Sequence, residues 1–364
     1  MGNSIADAHL MTNELFLDGH KLLYHLDAVG RWLKGQDIVP IHAEASPTSA
    51  CNQRCGFCYR DFDGHKADFL SRKVFLGLMR SLAKVGAKSV LLAGDGEPLL
   101  NEATVEAIIL GKNLGLDMAL NTNGVLLKEG IARRILPKLT WLRFSMMSSN
   151  PRNYSRIHGV PSGQLKQAIE NIKKCAEIKK EKKLAVTLGI QQVLLKENAA
   201  DVYAEAKLSE RIGADYYVLK PFSKHPANIY DSQEDLHVKY KDELEKAEGL
   251  SSAKFKVIIR WNTFSDKGIR DYERCLGIPF IVQIGADAGV YSCCPFFGDK
   301  RFLFGNLNQR SLEEILRSKK RKQVIKYIAD KIDVRRVCMT YCRHHQINKF
   351  LWNLVNPPRH VNFI

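Results

Sequence analysis

Cys51, Cys55 and Cys58 stand in the run Cys51-Asn52-Gln53-Arg54-Cys55-Gly56-Phe57-Cys58, three thiols at C-x3-C-x2-C spacing. A cubic 4Fe-4S cluster takes four thiolates. Three from one tight loop leave one iron without a protein ligand, open to a small molecule. Structural zinc is the competing reading, but such sites close a tetrahedron with C-x2-C or Cys/His pairs. The nearest histidine, His65, is not at such a spacing. A disulfide framework fits less well, because nine cysteines in 364 residues with no cleavable apolar leader suit a cytoplasmic protein with reduced thiols.

A second stretch with chemical potential follows a predicted strand. Ser89-Val90-Leu91-Leu92-Ala93 is a short apolar run ending in Gly94-Asp95-Gly96-Glu97-Pro98. Glycine lets backbone approach a ligand closely. From about residue 40 to 225, apolar runs alternate with amphipathic helical stretches, the order of βαβ units around a parallel sheet. The predicted strands are Ile41–Ser46, Ser89–Ala93, Asp117–Leu120, Leu142–Ser145, Ala185–Val193 and Tyr216–Lys220. Ligands of parallel α/β architectures bind at the carboxyl ends of the strands. The cysteine loop, the Gly94–Glu97 turn, Asn121, Ser145 and Lys220 are therefore expected to converge on one mouth. Gln191 and Gln192 alternate across the fifth strand, so one of them points inward.

The cysteine spacing with Phe57 before the last Cys, joined to a Gly-Glu-Pro turn after the next strand, resembles the radical S-adenosylmethionine (SAM) superfamily. The resemblance implies an α/β fold built as a partial (β/α)6 TIM barrel. It implies a 4Fe-4S cluster on Cys51, Cys55 and Cys58 whose open iron binds SAM, with reductive cleavage to a 5′-deoxyadenosyl radical that abstracts hydrogen. It also implies cofactor contacts: Phe57 or Tyr59 on adenine, Gly94, Asp95, Gly96 and Glu97 around the SAM amino group, and Ser145 on the ribose or carboxylate. Asn121, Gln191 and Lys220 complete the expected cofactor set, Lys220 facing a SAM carboxylate or an anionic substrate.

Five of the nine cysteines lie in the C-terminal third: Cys275, Cys293, Cys294, Cys338 and Cys342. Their order around Gly289-Val290-Tyr291-Ser292-Cys293-Cys294, Gly305-Asn306-Leu307 and a helix from Ser311 resembles the SPASM/twitch extension of the same superfamily. That pattern needs about seven cysteines for two auxiliary clusters, so a small twitch-like domain with one auxiliary 4Fe-4S is expected. Its ligands would be Cys275, Cys338, Cys342 and Cys293, with Cys294 as the alternative fourth; a zinc ribbon is the competing reading. If Cys294 is not a ligand it becomes a candidate hydrogen donor. Cys175 has no partner nearby in the sequence. A second cluster with no open site suggests electron transfer, hence an oxidoreductase that dehydrogenates or epimerises a sugar, aminocyclitol or nucleotide-linked sugar; modification of a peptide or RNA, and a non-enzymatic zinc or iron-sulfur protein, are the alternatives. Flavodoxin or ferredoxin is the expected external reductant.

Composition bounds the rest. At 45% hydrophobic residues the chain can bury a core, and it lacks an apolar run long enough to span a bilayer. Gly2 is followed by Ala6 rather than the Ser or Thr of a myristoylation signal. The net charge of +16 gathers at residues 173–183, 317–326 and 335–336 without interleaved aromatics, so solvated helix faces and an anionic small molecule are expected, rather than nucleic acid. The expected organisation is an N-terminal helical extension at 1–40, a barrel core at 41–235, a connection at 236–269, the auxiliary domain at 270–350 and a tail at 351–364. Within the extension, Leu22, Leu23, Leu26, Val29 and Leu33 predict an amphipathic helix ending near Gly35.

Overall fold

The structure, a computed structural model, describes residues 15, 20–60, 62, 64, 66–231 and 235–363. After a short helix, α1 (Leu26–Leu33), the chain alternates strand and helix: β1 (His42–Ala45), α2 (Arg72–Val85), β2 (Ser89–Leu92), α3 (Thr104–Asn113), β3 (Asp117–Thr122), α4 (Glu129–Ile135) and β4 (Trp141–Ser145). Then follow α5 (Pro151–His158), α6 (Gly163–Glu181), β5 (Thr187–Val193), α7 (Val202–Arg211) and β6 (Tyr216–Lys220). All six predicted strands are present, and β1 to β6 pair in parallel in chain order.

The sheet runs further than expected. Residues 236–269, read as a connection, form α8 (Leu236–Lys239), α9 (Lys241–Glu248), β7 (Lys256–Ile259) and α10 (Trp261–Ser265), and β7 adds in parallel to β6. On the other edge, β8 (Ile281–Ile284) pairs in parallel with β1, and β9 (Gly289–Tyr291) and β10 (Leu303–Asn306) continue antiparallel. The cysteine-rich region therefore shares one ten-stranded sheet with the barrel, with β10 and β7 as its edges. It continues into α11 (Leu312–Arg317), α12 (Lys319–Lys331), α13 (Val334–Val337) and α14 (His345–Val355). Leu351, placed at the start of the expected tail, is fully buried within α14.

Strand parity explains the site. Ala43, Val90, Leu92, Met118, Leu120, Leu142, Phe144, Leu188 and Ile190 belong to the apolar core packed by the outer helices. Their neighbours along each strand point to the other face. Register places Glu44 beside Leu91 and Gln283, Asn121 beside Arg143, and Ser145 beside Gln191 on that inner face. The inner face is thus polar where the outer face is apolar. The N-terminal helix ends as expected near Gly35, and Val29 and Leu22 pack with Phe280, Ile281 and Leu351.

Candidate functional site

The cysteine loop is held from two sides. Asn150 caps α5 by accepting from the Arg152 and Asn153 backbone N–H groups, Pro151 occupies its first turn, and Gly159 ends it at φ 60°. Glycine is required there, since a Cβ on Gly159 would stand 2.4 Å from the Arg54 carbonyl oxygen. The end of α5 thereby docks on the loop: Arg54 N donates to His158 O at 2.9 Å and Gly56 N to Ile157 O at 3.2 Å. His158 is 1% exposed. Its Nδ1 lies 2.9 Å from Gln53 Oε1 and 3.3 Å from Cys55 Sγ, while its Nε2 receives the Met147 N–H at 3.3 Å. Burial pushes the imidazole down to about 3, so it is neutral at physiological pH.

The Gly94–Glu97 turn closes the other side. A Cβ on Gly96 would lie 2.0 Å from the Ala50 carbonyl oxygen, and one on Gly94, at φ +131°, 2.5 Å from the Ser46 side chain. Both glycines let this turn pack against the chain that leads into the cysteine loop. Glu97 N donates to Ala50 O at 2.9 Å. The buried Glu97 carboxylate accepts from Thr122 Oγ1 at 2.7 Å, Asn123 N at 2.8 Å and Leu99 N at 3.2 Å. An ionised carboxylate has about four acceptor positions, so room for one further donor remains. Asp95 is engaged by Tyr59 Oη at 2.9 Å and by Arg60 Nε at 3.8 Å, which fastens the turn to the residues just after Cys58. Tyr59 is therefore pinned to Asp95 through its hydroxyl, whereas Phe57 lies among Met147, Ile157, Val193 and Phe222, an apolar setting. Asn121 Oδ1 is buried with no hydrogen-bond partner, an orphan acceptor on the inner face.

Sulfur chemistry fits the loop. Burial first, then the neighbouring Cys58 and Cys51, push the Cys55 thiol well above its ordinary range. A coordinated metal reverses that penalty, because a thiol bound to a cation is deprotonated outright.

A family model for the radical SAM superfamily matches residues 45–204, and one for an iron-sulfur cluster-binding domain, SPASM, matches residues 275–344. The chain belongs to the radical SAM superfamily. Its cofactor chemistry is that of SAM at a 4Fe-4S cluster, with auxiliary iron-sulfur binding in the SPASM region. Similar proteins include a probable GTP 3′,8-cyclase of Saccharolobus solfataricus, 27% identical over 56% of this chain and 61% of that protein. Another is the probable GTP 3′,8-cyclase of Methanosarcina acetivorans, 29% identical over 42% of this chain and 44% of that protein. The chain thus spans about three fifths or less of these relatives. Among solved structures, Streptococcus suis SuiB bound to S-adenosylmethionine aligns with TM-score 0.64 at 15% identity, over 90% of this chain and 76% of that one. AnSMEcpe with bound AdoMet aligns with TM-score 0.56 at 19% identity, over 84% of this chain and 90% of that one. These structural likenesses show the fold.

In the SPASM region of this radical SAM protein, Cys275, Cys293, Cys338 and Cys342 line one cavity, with Arg270, His344 and Asn348. Cys294 is not among its lining residues. Asn348 Nδ2 donates to Cys275 Sγ at 3.3 Å, and Asn348 Oδ1 receives the Leu276 and Gly277 N–H groups at 2.8 and 2.7 Å. Arg270 donates to the Met339 and Cys338 carbonyls. The donor set fits a cluster: four thiols around an enclosed space, with hydrogen bonds to a sulfur already built. Among the described residues, no three His, Cys, Asp or Glu groups converge on a single-ion site.

Cys294 faces a different environment. Burial, then the Glu44 carboxylate, raise its thiol above the ordinary range, Arg343 opposes and Asp95 adds to the rise. Glu44 itself pairs with Arg343 at 2.6 Å and receives Gln283 Nε2 at 2.9 Å. Burial alone would raise that carboxyl; Arg343, His42 and Gln283 outweigh it and hold it at about 2. Lys220 is pushed down to about 7, first by burial, then by Arg260, Arg343 and Arg143. The inner face near Cys294 therefore carries both signs, with Glu44 and Asp95 acting on the thiol and Arg260, Arg343 and Arg143 acting on Lys220. Arg60 bridges the two sulfur regions, donating to the carbonyls of Cys294, Pro295 and Phe297 at 3.4 to 3.5 Å.

Of the two glutamines, Gln191 points inward and accepts from Arg143 Nη1 at 3.2 Å. Gln192 is fully buried on the outer side, donating to Met147 O and accepting from Tyr217 Oη. His42 bonds Ser89 Oγ at 2.8 Å, at the strand ends opposite the cysteine loop. Cys175 is buried in the helix core. Sequence reading missed Gln53, His158, Arg60 and Asn348. His158 ends a helix 100 residues from the loop it touches, and no local pattern signals that contact.

Proposed function

We propose that this enzyme abstracts hydrogen from an anionic, hydroxyl-bearing small molecule and returns a hydrogen atom from Cys294, an epimerisation. The observation that carries the reading is the placement of Cys294: outside the four-cysteine cavity, with Glu44 and Asp95 among its electrostatic neighbours and Lys220 among the groups that feel its charge. In this reading Cys51, Cys55 and Cys58 hold the SAM cluster, and Cys275, Cys293, Cys338 and Cys342 hold one auxiliary cluster. When bound, SAM at its cluster supplies a 5′-deoxyadenosyl radical. Phe57 takes the adenine, Glu97 accepts the SAM ammonium, and Asn121 and Gln191 offer side-chain oxygens from the inner face. Ser145 borders the ribose or carboxylate. Lys220, with Arg343 behind it, attracts the substrate's anionic group. After abstraction leaves a substrate carbon radical, the Cys294 S–H delivers hydrogen to the opposite face of that carbon. The sulfur is then restored by one electron and one proton, the electron coming from a low-potential carrier such as flavodoxin or ferredoxin.

The curated relatives are named for a nucleotide, GTP, another anion. Peptides are the second substrate class, because the SuiB and anSMEcpe structures include forms bound to precursor peptide SuiA and to the Cp18Cys peptide. The three arginines that act on Lys220 favour the small anion.

The test uses anaerobically reconstituted protein, SAM and dithionite. Deuterated sugar phosphates, nucleotide-linked sugars and peptides are offered in turn, and deuterium transfer into 5′-deoxyadenosine identifies the substrate class. In D2O the wild type should place one solvent deuterium in an epimerised product. Cys294→Ala should keep forming 5′-deoxyadenosine but lose that product. Transfer from peptides alone, or unchanged epimer from Cys294→Ala, would overturn the proposal.

A further inference from the structure

His158 is built into the cysteine loop more tightly than packing requires. Its Nε2 receives the Met147 backbone N–H at 3.3 Å. A ring nitrogen that accepts carries no proton, so in the neutral ring the N–H is on Nδ1. That N–H faces Gln53 Oε1 at 2.9 Å and Cys55 Sγ at 3.3 Å, within range of both. The ring cannot turn away. It stacks on Tyr154 with centroids 4.1 Å apart, meets Phe57 edge-on at 6.1 Å, and its own carbonyl receives Arg54 N. Gln53 is held in turn, donating from Nε2 to Tyr154 Oη at 3.0 Å and to Gln164 Oε1 at 3.2 Å.

We propose that His158 is a positioning residue for the cluster on Cys51, Cys55 and Cys58, donating its Nδ1–H to the Cys55 sulfur and thereby raising the reduction potential of that cluster. The inference rests on the proposed ligand role of Cys55. One-electron reduction adds negative charge that is shared with the ligand sulfurs, and an N–H aimed at such a sulfur stabilises the reduced form more than the oxidised one. The electron comes from outside the protein, from dithionite or titanium(III) in the experiment, and no bond to the histidine forms or breaks. Removing the donor should make the cluster about tenfold harder to reduce, a fall of about 59 mV for a one-electron couple.

The experiment is an EPR-monitored redox titration of anaerobically reconstituted wild type, His158→Leu and His158→Asn. The Leu variant keeps bulk but no donor; the Asn side-chain N–H replaces Nδ1–H. The expected result is full iron content in all three, a lowered potential in His158→Leu and restoration in His158→Asn. A loaded His158→Leu with the wild-type potential overturns the inference. Should the Leu variant not load, the wild type decides: 15N-histidine labelling should give a 15N hyperfine coupling to the reduced cluster, and its absence overturns the inference. A wild type with no four-iron signal dependent on Cys55 would instead defeat the ligand reading itself, so the two failures are separable.

Discussion

Gly96→Ala probes the packing that joins the Gly94–Glu97 turn to the cysteine loop. The added methyl would start 2.0 Å from the Ala50 carbonyl oxygen and 2.7 Å from that of Thr48, both backbone atoms. Reaching the 3.4 Å at which ordinary contact begins needs a shift of about 1.4 Å. Glu97 N sits 2.9 Å from the same Ala50 oxygen, so that shift breaks the bond. A buried donor left unmatched costs about 1–3 kcal/mol, and overpacking adds about 1–3 kcal/mol. The sum is about 2–6 kcal/mol, which lowers the thermal midpoint by about 3–8 °C in a chain of this size. Gly77→Ala is the control, since nothing lies within 4 Å of its Cβ position inside α2 and the change should be neutral to stabilising. The assay is differential scanning calorimetry of both variants, with iron content after reconstitution as the second readout. A Gly96→Ala midpoint within a degree of wild type, with full iron, would refute the reasoning.

Three further measurements address other parts of the site. Glu44→Gln removes the 2.6 Å pair with Arg343. Holding Glu44 at about 2 against an ordinary 4.5 sets a ceiling of about 3 kcal/mol, which the half-exposed Arg343 screens to roughly 1–2 kcal/mol. Because the folded value is depressed, this stabilisation is complete above the ordinary carboxylate range and fades as pH falls toward 2. The gap in midpoint between wild type and variant should therefore narrow from pH 5 to pH 3, and a constant gap counts against the pair. Alanine at Cys275, Cys293, Cys338 or Cys342 should remove about four irons per chain, one cluster's worth. Cys294→Ala and Cys175→Ala should leave iron unchanged, and equal loss from Cys293→Ala and Cys294→Ala would erase the distinction between them. Gly189→Ala places a methyl 2.0 Å from the Tyr216 ring, which is itself held by Arg143, so it should lower the thermal midpoint by several degrees; an unchanged midpoint would show that the ring can swing aside.

How far the sequence carried depends on range along the chain. The cysteine loop, the Gly-Glu-Pro turn and six of the strands are local patterns, set by ligand spacing, by glycine and by apolar periodicity, and they were legible. The extension of the sheet was not. β8 pairs with β1 across more than 230 residues, a contact that no local pattern signals.

The sequence by itself determined which residue types were available: three thiols in one loop, five more near the C-terminus, and an inner-face lysine at a strand end. Only the tertiary structure decided their allegiance. The sequence favours Cys293 over its neighbour Cys294 only through a resemblance, and the backbone places Cys293 at the four-cysteine cavity and leaves Cys294 outside it. His158 gained its place beside Cys55 in the same way, because a helix end capped by Asn150 and Gly159 docks on a loop 100 residues earlier. Spacing fixes ligands that share a loop, whereas contacts between distant segments follow from packing, which no local pattern encodes.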